Sequence, residues 1–138
     1  MLVLTEMPLS IEELQKKVIR PDAGAVASFV GVTRNYNLGE PVETLFYEAY
    51  VPMALKEMKR LVKETKDRFG VIEIAIYHRL GRVGVGEASL AIAVSSAHRQ
   101  AAFEACQYVV DRLKEQVPIF KKEFFGKTGA RWVPNRTT

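Results

Sequence analysis

Near Tyr50 the spacing of apolar residues changes from that of a strand to that of a helix. Upstream, Ala25 to Thr33 is apolar and partly β-branched, which predicts a strand buried on both faces or nearly so. Val42 to Tyr50 alternates as a second strand. Downstream, Pro52 suits a first helical position, and Leu55, Met58, Leu61, Val62, Thr65 and Phe69 share one helical face until Gly70 ends it. Lys63–Asp67 and Glu64–Arg68 have the i,i+4 spacing of ion pairs on the wet side. A long helix with one apolar face, set between strands, needs a sheet to lie on.

The rest of the chain continues this alternation. Ser10-Ile11-Glu12-Glu13 has capping-box spacing and predicts a helix from about Ile11 to Ile19, ended by Pro21-Asp22-Ala23-Gly24. Arg34 to Pro41 is rich in turn formers and reads as a loop. Val71 to Arg79 carries Ile72, Ile74 and Ile76 on one face of a strand. Gly81, Gly84 and Gly86 mark a turn before a strand from Ala88 to Val94. Ser95 and Ser96 read as caps for an amphipathic helix from Ala97 to about Val117, stopped by Pro118. Ile119 to Phe125 and Arg131 to Val133 flank Gly126-Lys127-Thr128-Gly129 as a C-terminal β hairpin. The order β-α-β-β-α-β-β-α-β-β predicts an α+β fold, its helices packed on a mainly antiparallel sheet.

At 138 residues the chain reads as a single domain, 1–138, able to bury roughly two-thirds of its unfolded surface. No apolar run approaches the ~18 residues of a membrane span. The start, MLVLTEMPLS, lacks the basic stretch of a secretory signal, so the cytoplasm is expected. One cysteine, Cys106, excludes an internal disulfide. It shares a helical face with Ala102, Val109 and Leu113, which favours a small buried hydrophobe over a persulfide carrier. His78, His98 and Cys106 lack metal-ligand spacing, so no metal is expected. Gly126-Lys127-Thr128 ends like a phosphate loop, but Lys121 stands where the first glycine is required.

A net charge of +4 favours anionic ligands, and the cations are the informative residues. Ser96-Ala97-His98-Arg99 puts an imidazole and a guanidinium at a helix start, where free N–H groups already attract anions. Solvation, or pairing with Glu104 or Asp22, is the simpler alternative. Lys114 lies near the end of the same helix, where lysines often serve only the helix dipole. Lys121 and Lys122 follow in a strand and point to opposite faces, so at most one enters a given pocket. Arg34 opens the loop after a strand, a common place for a binding residue and for a solvated one.

Four blocks, in order, resemble the molybdopterin synthase large-subunit family. They are Gly31-Val32-Thr33-Arg34-Asn35-Tyr36-Asn37-Leu38-Gly39 with Leu45-Phe46-Tyr47-Glu48-Ala49-Tyr50, and His78-Arg79-Leu80-Gly81 with Val85-Gly86-Glu87. The others are Ser96-Ala97-His98-Arg99 with Ala102-Phe103-Glu104-Ala105, and Pro118-Ile119-Phe120-Lys121-Lys122-Glu123 with Arg131-Trp132. Phe120 stands where the family usually has Trp. The resemblance implies a hammerhead-like α+β domain and a homodimer within a heterotetramer, capped by small ubiquitin-like sulfur-carrier subunits. The carrier's C-terminal thiocarboxylate is then the sulfur donor and cyclic pyranopterin monophosphate the substrate, with no further cofactor, nucleic acid or membrane. By the same resemblance Lys114 and Lys121 are catalytic, and Arg34, His98, Arg99, Lys122 and Glu123 bind substrate. His98 and Lys114 are 16 residues apart on one helix, or about 24 Å, too far to share one pterin unless two subunits build each site. Two rival readings are a non-catalytic adaptor for a ubiquitin-like protein and a small RNA-binding domain, the latter suggested by a pI near 9.3. Against RNA, the aromatics Phe29, Phe46, Tyr47, Tyr50 and Phe103 sit in apolar patterns rather than basic-aromatic strips.

Overall fold

A computed structural model describes residues 1–37, 39–125 and 129–133. Strands β1 (Leu2–Thr5), β2 (Ala25–Val32), β6 (Glu73–Arg79) and β8 (Ala88–Ser96) form one sheet in the order β1-β6-β8-β2. A second sheet has the order β10-β9-β5-β7, from β5 (Thr44–Ala49), β7 (Gly81–Gly84), β9 (Ile119–Phe124) and β10 (Ala130–Val133). The short strands β3 (Tyr36–Asn37) and β4 (Glu40–Pro41) pair with each other. Every pairing is antiparallel except β1 with β6. The fold is therefore α+β, with three helices among the described residues, as the element order predicts.

Helix α2 (Val51–Phe69) obeys its sequence signals. Pro52 lies in its first turn, and Gly70 ends it with a left-handed φ of 66° that a side chain would resist. Met58, Leu61 and Thr65 are buried, and Leu55, Val62 and Phe69 pack partly against the same core. The wet side differs from expectation. Glu64 accepts a hydrogen bond from the Tyr108 hydroxyl, and Arg68 lies over the Phe69 and Tyr108 rings. Aromatic stacking here displaces the expected Glu64–Arg68 pair.

Helix α3 (Arg99–Gln116) packs on β2 and β8, while α1 (Ile11–Lys16) and the turn after it cover the opposite face of the same sheet through Leu14 and Val18. Ser10 caps α1 as expected, its hydroxyl accepting from Glu13 N at 3.2 Å. The helix ends at Lys16 rather than Ile19, because Arg20 folds back and donates to the Lys17 and Ile19 carbonyls.

Three further expectations need correction. β2 is an edge strand, and Val26, Val30 and Val32 on its outer face are 42%, 37% and 47% exposed. Ser95 and Ser96 do not cap α3; β8 runs through both, and the Ser95 hydroxyl accepts from Glu73 N. Finally, Gly81 to Gly84 form a strand instead of a turn, since β5 offers them a free edge. The C-terminal hairpin is present as β9 and β10, with Gly126-Lys127-Thr128 outside the described residues, as is Leu38 in the Arg34–Pro41 segment. Among the described residues no helix is long and apolar enough to cross a membrane.

Candidate active site

The two sheets and the end of α3 converge on one small cavity. β9 alternates inward and outward, so Ile119, Lys121 and Glu123 turn in while Phe120 turns out. Lys121 pairs in register with Tyr47 of β5, which places an amine and a phenol side by side beneath the first sheet. His78 of β6, Ser89 and Leu90 of β8 and Gly31 of β2 close the far wall. Lys114 and Leu113, from the last turn of α3, close the end. The cavity is about 20 Å³, room for about one water molecule and far too small for a pterin.

Lys121 is only 4% exposed. Burial, and after it the nearby Lys114 charge, bring its amine down to about 8, while Glu123 opposes the shift and Arg34 adds to it. Lys114 is also lowered, by burial, against the pull of Asp111. Two partly desolvated amines thus face one cavity, one of them poised to give or take a proton near neutral pH. Burial raises the Tyr47 phenol, which is hydrogen-bonded to Ser89.

Lys121 also lines a second small cavity with Arg34, Tyr36, Asn37 and Glu123. Here Asn37 Nδ2 donates to Glu123 at 2.7 Å, Arg131 Nε donates to the other carboxylate oxygen at 3.2 Å, and Arg34 donates to Asn37 Oδ1 at 3.4 Å. Glu123 is 2% exposed and held by two donors, so it braces the wall between Lys121 and Arg34.

Comparison with known proteins fits this arrangement. Residues 4–116 match the family model described as MoaE protein. A molybdopterin synthase catalytic subunit of Bos taurus is 46% identical over 132 residues, 96% of this chain and 70% of that protein. The crystal structure of molybdopterin synthase from Staphylococcus aureus superposes with a TM-score of 0.90 at 36% identity, over 95% of each chain. A Helicobacter pylori structure, described as a complex of subunits 1 and 2 of molybdopterin-converting factor, shares the fold with a TM-score of 0.80 at 22% identity, covering 99% of this chain and 92% of that one. The chain belongs to the MoaE family. Its role is that of the family's catalytic subunit, an enzyme of molybdopterin synthesis in the making of the molybdenum cofactor.

Within this MoaE-family fold, the residues singled out by sequence fall into two groups. Lys114, Lys121, Arg34 and Glu123 come together around two neighbouring cavities that share Lys121 in their walls. His98 and Arg99 do not join them. They stand exposed at the opposite end of α3, where His98 is the N-cap without a side-chain cap bond and no acid occupies the first turn. Lys122 faces away from Lys121, its ammonium over the Phe124 and Trp132 rings at 5.6 and 5.4 Å. Cys106 is buried in the core, which pushes its thiol up to about 11, a poor sulfur carrier. Sequence reasoning overlooked Tyr47, His78 and Asn37 as site residues. The available signal for His78 was an imidazole in line with Ile74 and Ile76 on a strand face that ought to be wholly apolar.

Proposed function

We propose that this chain transfers two sulfur atoms to cyclic pyranopterin monophosphate, in the cytoplasm, from the C-terminal thiocarboxylate of a small ubiquitin-like subunit. The observation that carries the reading is the convergence of Lys114 and Lys121 on one buried cavity, with the Lys121 amine near 8. In each round the thiocarboxylate sulfur attacks a pterin side-chain carbon. A C–S bond forms, a C–O bond breaks, and the leaving oxygen takes a proton from the Lys121 ammonium. The resulting thioester is hydrolysed by water, one of whose protons returns to the neutral amine while the other ends on the departing sulfur, leaving a carboxylate on the donor tail and a thiol on the pterin. Lys114 and Arg34 offset the negative charge that builds up in both steps. A purely adaptor role gives no reason to bury two amines against each other.

The substrate's phosphate needs cations, and the two cavities lined by Lys121, about 20 Å³ each, are too small to hold a pterin. A second copy supplies both. β2 starts beside Ser96, close to His98, and ends at Val32, next to Arg34 and the cavity. Apposing β2 antiparallel to its copy across a two-fold axis buries Val26, Val30 and Val32 and sets the start of one strand against the end of the other. An eight-residue strand spans about 26 Å, close to the ~24 Å between His98 and Lys114. His98 and Arg99 of the second copy then meet Arg34 and Lys121 of the first, a ring of cations for a phosphorylated ligand. The small subunit completes a heterotetramer on the single 1–138 domain, in keeping with the relatives' designation as catalytic subunits.

The test is a single-turnover reaction of the chain with a thiocarboxylated small subunit and the pterin precursor, followed by mass measurement of donor and product. One thiocarboxylate should be consumed per sulfur transferred, and Lys121→Ala should transfer none. Donor that keeps its sulfur, or equal turnover by Lys121→Ala, overturns the reading.

A further inference from the structure

Of the chain's two histidines, His98 is exposed and His78 is buried. His78 occupies a position on β6 in line with Ile74 and Ile76, where an apolar side chain would pack without penalty. A polar ring there is costly unless its nitrogens are used. One is accounted for, since His78 Nδ1 lies 2.8 Å from the Arg79 carbonyl oxygen. A carbonyl can only accept, so Nδ1 carries the proton and Nε2 keeps a lone pair. The Tyr47 ring meets the imidazole edge-on at 4.9 Å and limits its rotation. The ring lines the same cavity as Lys114 and Lys121.

The charged groups that share the cavity with this ring are Lys114 from α3 and Lys121 from β9, beside the Tyr47 phenol from β5, while Glu123 of β9 and Arg34 after β2 lie in the adjoining cavity on the far side of Lys121. Burial lowers the imidazole to about 4, opposed by the Arg79 carbonyl and helped by the Lys114 charge. It therefore stays neutral wherever the lysines work. That matters chemically. A third cation would repel the lysines, and a carboxylate would tie one of them into an ion pair. A neutral imidazole offers an acceptor without adding charge.

We propose that His78 is a positioning residue for sulfur transfer: its Nε2 accepts a hydrogen bond from the Lys114 ammonium and aims that cation at the reacting atoms. The inference rests on the Lys114–Lys121 cavity being the reaction site.

The test uses the whole chain with two variants. His78→Gln keeps an acceptor near the Nε2 position, and His78→Phe keeps the ring volume without one. The His78 tautomer is read from ¹⁵N shifts of the unliganded protein. The Lys114 titration is read from pH-dependent amine modification followed by mass measurement. The expected results are an Nδ1–H tautomer and a Lys114 titration that falls by about one pH unit in His78→Phe. In the assembled enzyme kcat should fall about tenfold in that variant, with KM changed less than about twofold, and His78→Gln should recover most of the loss. An Nε2–H tautomer, an unmoved Lys114 titration, or equal damage by Gln and Phe in folded proteins overturns the proposal. Should the Phe variant not fold, His78→Asn, whose amide reaches only the Nδ1 position, replaces it, with the same outcomes expected. The tautomer and the titration need no substrate. If both come out as expected while the wild-type complex transfers no sulfur, the reaction-site reading fails and the His78–Lys114 contact stands.

Discussion

Replacing Lys121 by Met should stabilise the protein and stop sulfur transfer. Met keeps the aliphatic stem of a side chain that is 4% exposed and removes its charge. The fall of the amine from 10.5 to about 8 corresponds to about 3 kcal/mol of penalty on the charged form. Loss of the attraction to Glu123 takes some of this back, although Glu123 keeps its Asn37 and Arg131 donors. The net gain at pH 7 should be about 1–3 kcal/mol, or roughly 3–10 °C in Tm for a chain of this size. Its pH dependence has a definite sign. Below pH 8 Lys121 is protonated in both the folded and the unfolded chain, and the whole penalty is present. Between 8 and 10.5 the folded protein gives up the proton while the unfolded chain keeps it, so wild-type stability rises with pH and the gap to Lys121→Met closes. Urea unfolding of both proteins at pH 7 and pH 10, beside single-turnover assays, measures this. A variant less stable than wild type at pH 7, or a gap of equal size at both pH values, refutes the reasoning.

Lys114→Ala should keep the fold and lose most sulfur transfer, whereas Lys122→Ala should lose little, because its ammonium sits over Phe124 and Trp132 away from the cavity; single-turnover rates separate the two. Cys106→Ala should cost about 1 kcal/mol in urea unfolding and keep full turnover, and a folded but inactive Cys106→Ala protein would bring the persulfide route back. Glu123→Ala should destabilise by about 1–3 kcal/mol, since it strands the buried Asn37 donor and takes one carboxylate from Arg131, which keeps Glu40, and a loss below about 0.5 kcal/mol would contradict the bracing role.

The helices were legible because their punctuation is local: Ser10 before α1, Pro52 and Gly70 around α2, and Pro118 after α3 act through their own backbone. The strands were harder. Whether β2 is buried on one face or two depends on what lies beyond it, and Val26, Val30 and Val32 read alike in either case. β7 looked like a turn because Gly81 and Gly84 are turn residues, and only the free edge of β5 makes it a strand. Ser95 serves a strand neighbour, Glu73, that lies 22 residues away. For the site, strand alternation correctly separated Lys121 from Lys122. The charge on Lys121 was less accessible, because it depends first on burial between the sheets and then on Lys114, Glu123 and Arg34 meeting from different parts of the chain. His78 escaped notice for a similar reason: its neighbours Tyr47 and Lys114 belong to the other sheet and to α3.

The proposed mechanism requires a site that two copies of the chain build together. His98→Ala and Lys121→Ala proteins, each inactive alone, should therefore be mixed under conditions of proven subunit exchange and assayed with thiocarboxylated small subunit. In a mixed dimer one site carries both defects and the other is intact, so the mixture should regain up to about a quarter of wild-type turnover, half the dimers being mixed and each holding one working site. No recovery, despite exchange shown by mass measurement of the mixed dimer, would contradict the shared site.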